Sequence, residues 1–232
     1  MTRPTPDNWE PLTTEWGEAA AEWDTAEKSV PVDQGDVPIK DRAQFLEFME
    51  NQYRIIDSIQ ELMGGLPKPN CQVRAISRKS FNPFAFLLYV ADASPVVELF
   101  MAIYRIDIKS VQGLKNLVES GKVKNLTIVL SSFHKGSAKV EKWHLALKSW
   151  AEQMPNVRLI YCWTHAKIIA AHTENDDYFV IEGSGNLSSN ARIEQYLFEN
   201  RRESFEFHKT WMEDVRSISA KNDVSELVSD GN

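Results

Sequence analysis

Two short stretches of this chain hold side chains suited to chemistry on a phosphate. The first is Thr164-His165-Ala166-Lys167. The second is Glu182-Gly183-Ser184-Gly185-Asn186-Leu187. In a strand, residues two apart project to the same face, so His165 and Lys167 are expected side by side. The intervening residues read as a β-hairpin, His165–His172 and Tyr178–Glu182, joined by the polar turn 173–177. That hairpin returns Gly183 to Asn186 to the neighbourhood of His165. Gly183 and Gly185 would let the backbone approach a ligand closely, and Ser184 and Asn186 add hydrogen-bond donors. An imidazole, an ammonium, a hydroxyl and an amide converging on one pocket suit a tetrahedral phosphate. They supply donors for its oxygens and a histidine able to attack phosphorus or carry a proton.

The elements that must position these groups alternate between strand and helix. Residues 41–63 read as a helix, with Asp41 and Gln44 as a capping box and Phe45, Met49, Ile56, Ile59 and Met63 as an apolar stripe. Strands are expected at 71–77, 96–106, 126–131, 157–163 and 193–198. Helices are expected at 82–91, 110–120, 137–153 and 203–217. The run Leu126-Thr-Ile-Val-Leu130 shows no alternation and reads as a strand buried on both faces. The pattern predicts an α/β fold, a mixed β-sheet flanked by helices on both faces. Residues 1–40 stand apart as an acidic appendage with Trp9, Trp16 and Trp23 at seven-residue spacing. They read as a disordered tail or as a segment that docks on its own body or on a protein partner. Residues 218–232 read as a polar, frayed tail.

The two stretches resemble the signature of the phospholipase D superfamily, H-x-K followed by G-S-x-N. The matching residues are His165, Lys167, Gly183, Ser184 and Asn186. Asn190 to Phe198 is similar to the family's N-x-E strand, in which Glu194 would orient the catalytic histidine. The resemblance covers about residues 70–217 loosely and 157–215 closely. It implies a phospholipase D-like domain over 41–217 and a metal-independent phosphodiesterase without cofactor. In such an enzyme His165 forms a phosphohistidine, while Lys167, Ser184, Asn186 and Gly183 hold the phosphate. With a single motif, it implies a homodimer whose two half-sites meet on a two-fold axis. One departure is plain. The family's Asp falls five residues after the Lys, where this chain has His172, and the stretch to Gly183 is about four residues longer. Asp176 or Asp177 is the candidate replacement. The similar His134-Lys135-Gly136-Ser137 lacks the H-x-K spacing and reads as a loop entering a helix.

The net charge of −7 is unevenly placed. Of the 26 basic and 33 acidic residues, residues 1–36 hold two and nine, which leaves 24 of each elsewhere. A neutral body binds a polyanion only where its positive charges cluster. Lys135, Lys139 and Lys142 on one helix, and Arg74, Arg78 and Lys79, are either such tracks or solvated faces. Trp143, Trp150 and Trp211 read as core or dimer anchors, and Trp163 as the better candidate for base stacking. His144 and His208 read as ordinary surface or satisfied histidines, and Cys71 and Cys162 as two buried thiols. No Cys/His spacing suggests a metal site. No apolar run is long enough for a membrane span, and the first residues lack a secretory signal. A cytoplasmic nuclease is therefore expected, of phage or mobile-element kind, with DNA ahead of RNA as substrate and no membrane partner. The reading from a different class is a catalytically silent nucleic-acid-binding or assembly module with the same fold.

Overall fold

The computed structural model describes residues 39–77, 81–134, 142–188 and 193–229. The acidic segment, Lys135, Lys139, Arg78 and Lys79 lie outside the described residues. Seven strands form one sheet: β1 (Cys71–Ser77), β2 (Val96–Ile103), β3 (Leu126–Ser131), β4 (Val157–Cys162), β5 (Ile168–Thr173), β6 (Tyr178–Gly183) and β7 (Glu194–Asn200). Their order across the sheet is β1-β7-β6-β5-β2-β3-β4. β2, β3 and β4 run parallel, and every other neighbouring pair is antiparallel. The sheet therefore changes character between β2 and β5. The hairpin that carries His165 and Lys167 adjoins the parallel half.

Among the described residues five helices cover the sheet: α1 (Ile39–Met63), α2 (Phe84–Ala93), α3 (Ile108–Glu119), α4 (Lys142–Gln153) and α5 (Arg202–Ser229). Alternation within the strands assigns the two faces. Leu99, Met101 and Ile103 of β2 join a core built with Phe48, Phe84, Leu114 and Trp143 from α1 to α4. Phe100 and Ala102, the residues between, join a second core with Phe205 and Met212 of α5. One face thus lies under four helices and the other under α5. All six residues of β3 are buried, which is why its apolar run shows no alternation.

Several expected boundaries move. α1 already includes Ile39 and Lys40, so Asp41 lies inside the helix rather than capping it. α3 begins at Ile108 because the Asp107 carboxylate accepts from the Ser110 amide at 2.7 Å. β2 ends at Ile103, and Ile106 instead bridges to Leu187. α5 runs to Ser229 rather than stopping at Ser217, because no Gly or Pro interrupts the chain before Gly231. Cys71 is exposed, not buried. β1 and β4 are opposite edges of the sheet. Six strand spacings, about 29 Å, separate the two thiols and exclude a disulfide between them.

Trp143 and Trp150 are core residues, as expected. His144 and His208 are both buried, so neither is a surface residue. The first pairs with the Tyr161 hydroxyl at 2.8 Å, and the second pairs with Glu182 at 2.8 Å while accepting from Trp211 Nε1 at 3.0 Å.

Candidate active site at the parallel strand ends

The C-terminal ends of β2, β3 and β4 lie at one end of the sheet. β5 begins at that end and β6 finishes there, since Ile168 pairs with both Ala102 and Glu182. β7 begins there too, with Glu194 opposite Ser77. In open α/β sheets this end, next to a change of strand direction, is where ligands bind.

His165 and Lys167 do not belong to β5, which starts only at Ile168. The Thr164 hydroxyl accepts from the Ala166 amide at 3.1 Å and turns the chain before the strand forms. The two side chains meet nonetheless. Lys167 Nζ donates to His165 Nδ1 at 3.2 Å and to the His165 carbonyl at 3.0 Å. Burial pulls the Lys167 ammonium below the ordinary lysine value, and the Glu194 carboxylate opposes that shift. His165 itself is exposed.

The glycine-serine turn is pinned on both sides. Gly183 N donates to the Lys167 carbonyl at 3.2 Å, and Ser184 N to the Gln195 carbonyl at 3.1 Å. Leu187 N donates to the Arg105 carbonyl at 3.2 Å, and Asp107 N to the Leu187 carbonyl at 2.9 Å. The turn therefore bridges β7 to the segment after β2. Lys167, Gly183, Gly185, Asn186 and Arg105 line a narrow pocket of ≈ 20 Å³, room for about one water.

Gly183 and Glu194 make contacts that the resemblance did not imply. A Cβ on Gly183 would lie 2.4 Å from the Tyr196 ring and 2.8 Å from the Gln195 carbonyl, so this glycine serves the approach of β6 to β7. Glu194 accepts from the Ser184 hydroxyl, and no hydrogen bond joins it to His165. The same hydroxyl accepts from Gln195 N at 3.1 Å. Glu194 therefore orients Ser184, and Lys167 is the partner of the imidazole.

His172 lies at the other end of β5, about 13 Å along the strand from Ile168. Its ring stacks on Tyr178 at 4.5 Å, and Nε2 lies 3.3 Å from Asp176 Oδ1. Tyr178 Oη donates to Asp176 at 2.6 Å, and Asn200 Nδ2 donates to Asp177 at 2.7 Å. Neither turn aspartate reaches His165.

The sequence pointed to neither Tyr104 nor Phe133. The Tyr104 ring lies 4.6 Å from His165 and 5.6 Å from Lys167 Nζ. Phe133 lies 6.0 Å from Tyr104, and Trp163 lies 6.4 Å from Phe133. Each follows the end of a parallel strand, which is the signal that marks them. Among the described residues no helix is long and apolar enough to cross a membrane.

No family model and no curated protein matches the chain. Three solved structures are similar in part. The polyphosphate kinase of Porphyromonas gingivalis is 15% identical over 65% of this chain, with a TM-score of 0.47. This chain covers 26% of that kinase's length. NucT of Helicobacter pylori is 15% identical over 63% of this chain and 97% of its own, with a TM-score of 0.44. Nuc of Salmonella typhimurium, a phospholipase D family member, is 14% identical over 63% of this chain and 93% of its own, with a TM-score of 0.41.

Proposed function

We propose that the chain is a phosphodiesterase half-site of phospholipase D type that acts on nucleic acid as a homodimer. The observation that carries this reading is the contact between His165 and Lys167 beside the glycine-serine turn, at the open end of the sheet. The imidazole supplies a nucleophile or proton carrier, and the ammonium, the Ser184 hydroxyl and the Asn186 amide supply donors for non-bridging oxygens.

In this mechanism His165 Nε2 attacks phosphorus, and the P–O bond to the leaving group breaks. His165 of a second copy gives that oxygen its proton. The same histidine then takes a proton from water, which attacks phosphorus and breaks the P–N bond. The acid copy is the imidazolium, protonated on both ring nitrogens, and it becomes neutral imidazole on giving its Nε2 proton to the leaving oxygen. The attacking copy needs the proton on Nδ1. A bound phosphate draws the Lys167 ammonium onto its own oxygens and frees that nitrogen.

The test is cleavage of labelled single- and double-stranded DNA and RNA in EDTA, beside His165→Ala. Wild-type cleavage with loss of at least about a thousandfold in the variant supports the mechanism, as does an acid-labile phosphorylated protein in a quenched reaction. Absence of cleavage, with equal salt-dependent binding by both proteins, would replace it with the silent binding module.

A further inference from the structure

We infer that Trp163 and Phe133 form a stacking platform for an unpaired nucleobase next to the phosphate held at His165, which makes single-stranded nucleic acid the preferred substrate. The inference rests on the proposed function and adds the strandedness of its substrate.

Trp163 is 81% exposed and Phe133 54% exposed. Exposed apolar side chains that adjoin one another, rather than standing singly, mark contact sites on a folded surface. These two are held in place by other rings. Phe133 packs at 6.0 Å on Tyr104, which itself lies 4.6 Å from His165, and Trp163 meets Phe133 edge to face at 6.4 Å. A continuous aromatic path therefore leads from the imidazole outward over the ends of β2, β3 and β4. The cation at its inner end is Lys167, 5.6 Å from the Tyr104 ring. A phosphate site joined to a neighbouring ring surface is the pattern by which proteins hold single strands.

The chemistry of the two flanks decides between a base and a second copy of the chain as occupant. On the opposite flank of the site, where β1 ends and β7 begins, the exposed apolar side chains are aliphatic: Ile76 at 66% and Ile193 at 74%. Aliphatic side chains bury well against another protein surface but offer no π-face to a base. The rings occur on the parallel-strand flank. In a duplex each base face is already covered by its neighbours, so a rigid exposed indole gains a stacking partner only from an unpaired base.

The experiment uses the full chain carrying His165→Ala, which removes turnover under the proposed mechanism, with and without Trp163→Ala. Binding of a fluorescein-labelled oligodeoxynucleotide of mixed sequence and of the matching duplex is followed by anisotropy over a range of salt. The expected result is tighter binding of the single strand, weakened about tenfold or more by Trp163→Ala. The salt slope should stay unchanged, because stacking releases no counterions, and Trp163→Phe should restore part of the affinity. Three outcomes overturn the platform while leaving the phosphodiesterase intact: single-strand affinity untouched by Trp163→Ala, equal losses for duplex and single strand, or a change from dimer to monomer in sedimentation. Failure of the parent protein to bind or cleave any nucleic acid overturns the proposed function itself.

Discussion

The β5–β6 hairpin finishes differently at its two ends. At the turn, Asp176 takes hydrogen bonds from Tyr178 and His172. Asn200 accepts from Tyr178 N at 2.9 Å and donates to Asp177 and to the Pro67 carbonyl at 3.1 Å. The described polar groups there hold one another, and Phe205 packs at 5.5 Å against the Tyr178 ring from below. At the other end the imidazole of His165 is exposed, with Lys167 as its hydrogen-bond partner. The hairpin is anchored where its backbone turns and open where its side chains can react. Deletion of an interaction at the turn therefore costs stability, and deletion at the open end costs function.

His172, where the sequence resemblance implies an aspartate, falls at the anchored end and makes its contacts with Tyr178 and Asp176. The hydrogen bond from Tyr178 keeps the Asp176 carboxyl below the ordinary carboxylate range, with His172 contributing less.

Three substitutions test the contrast. The largest effect is expected from Lys167→Ala, which should lower kcat about 10²–10³-fold, about 3–4 kcal/mol, as for loss of one donor to a transition-state oxygen. Thermal unfolding should barely move. Because burial lowers the Lys167 pKa, the wild-type ammonium loses its charge on raising the pH before the ordinary 10.5. Activity should then fall in the alkaline limb with Lys167 present, and that limb should vanish in the variant. An intermediate effect is expected from Asn200→Ala, which strips one acceptor and two donor contacts from a buried side chain. Denaturant unfolding should report a loss of about 3 kcal/mol, with kcat per folded molecule retained. The smallest effect is expected from His172→Asp. Activity should change by less than about twofold, since the site is remote from His165. A slight loss of stability should grow as pH rises past the carboxylate range, where Asp176 and the new carboxylate repel. A tenfold gain in activity would instead give the motif aspartate a part in the chemistry.

Much of the fold was legible because the sheet has a simple burial pattern. β3 is buried along its whole length because helices cover both faces of the sheet, and β5 to β6 carries its own turn residues. The pair His165 and Lys167 was legible from spacing, although a turn at Thr164 rather than a strand brings the two together. Glu194 was legible as a site residue, but its partner was not. The choice between Ser184 and His165 depends on how β7 registers against β6, and no local pattern fixes that. Tyr104 and Phe133 were invisible for a related reason. Each is unremarkable among its sequence neighbours; Tyr104 meets His165, and Phe133 meets Tyr104, only because β2, β3 and β5 lie together in the sheet. A rule of position, that residues following parallel strands collect at one edge, finds them once the strand order is known.

The pairing of β1 with β7 has a consequence for synthesis. Cys71 lies opposite Asn200, and the Asn200 side chain bonds Pro67, 133 residues earlier. At about 5–20 residues per second on a ribosome, β1 emerges on the order of ten seconds before its partner. Through that interval an early strand waits with an unpaired backbone edge, available to any other nascent chain. The anchored end of the hairpin is completed by the same late segment, so the clasp that fixes the turn and the strand that closes the sheet arrive together, after the other six strands.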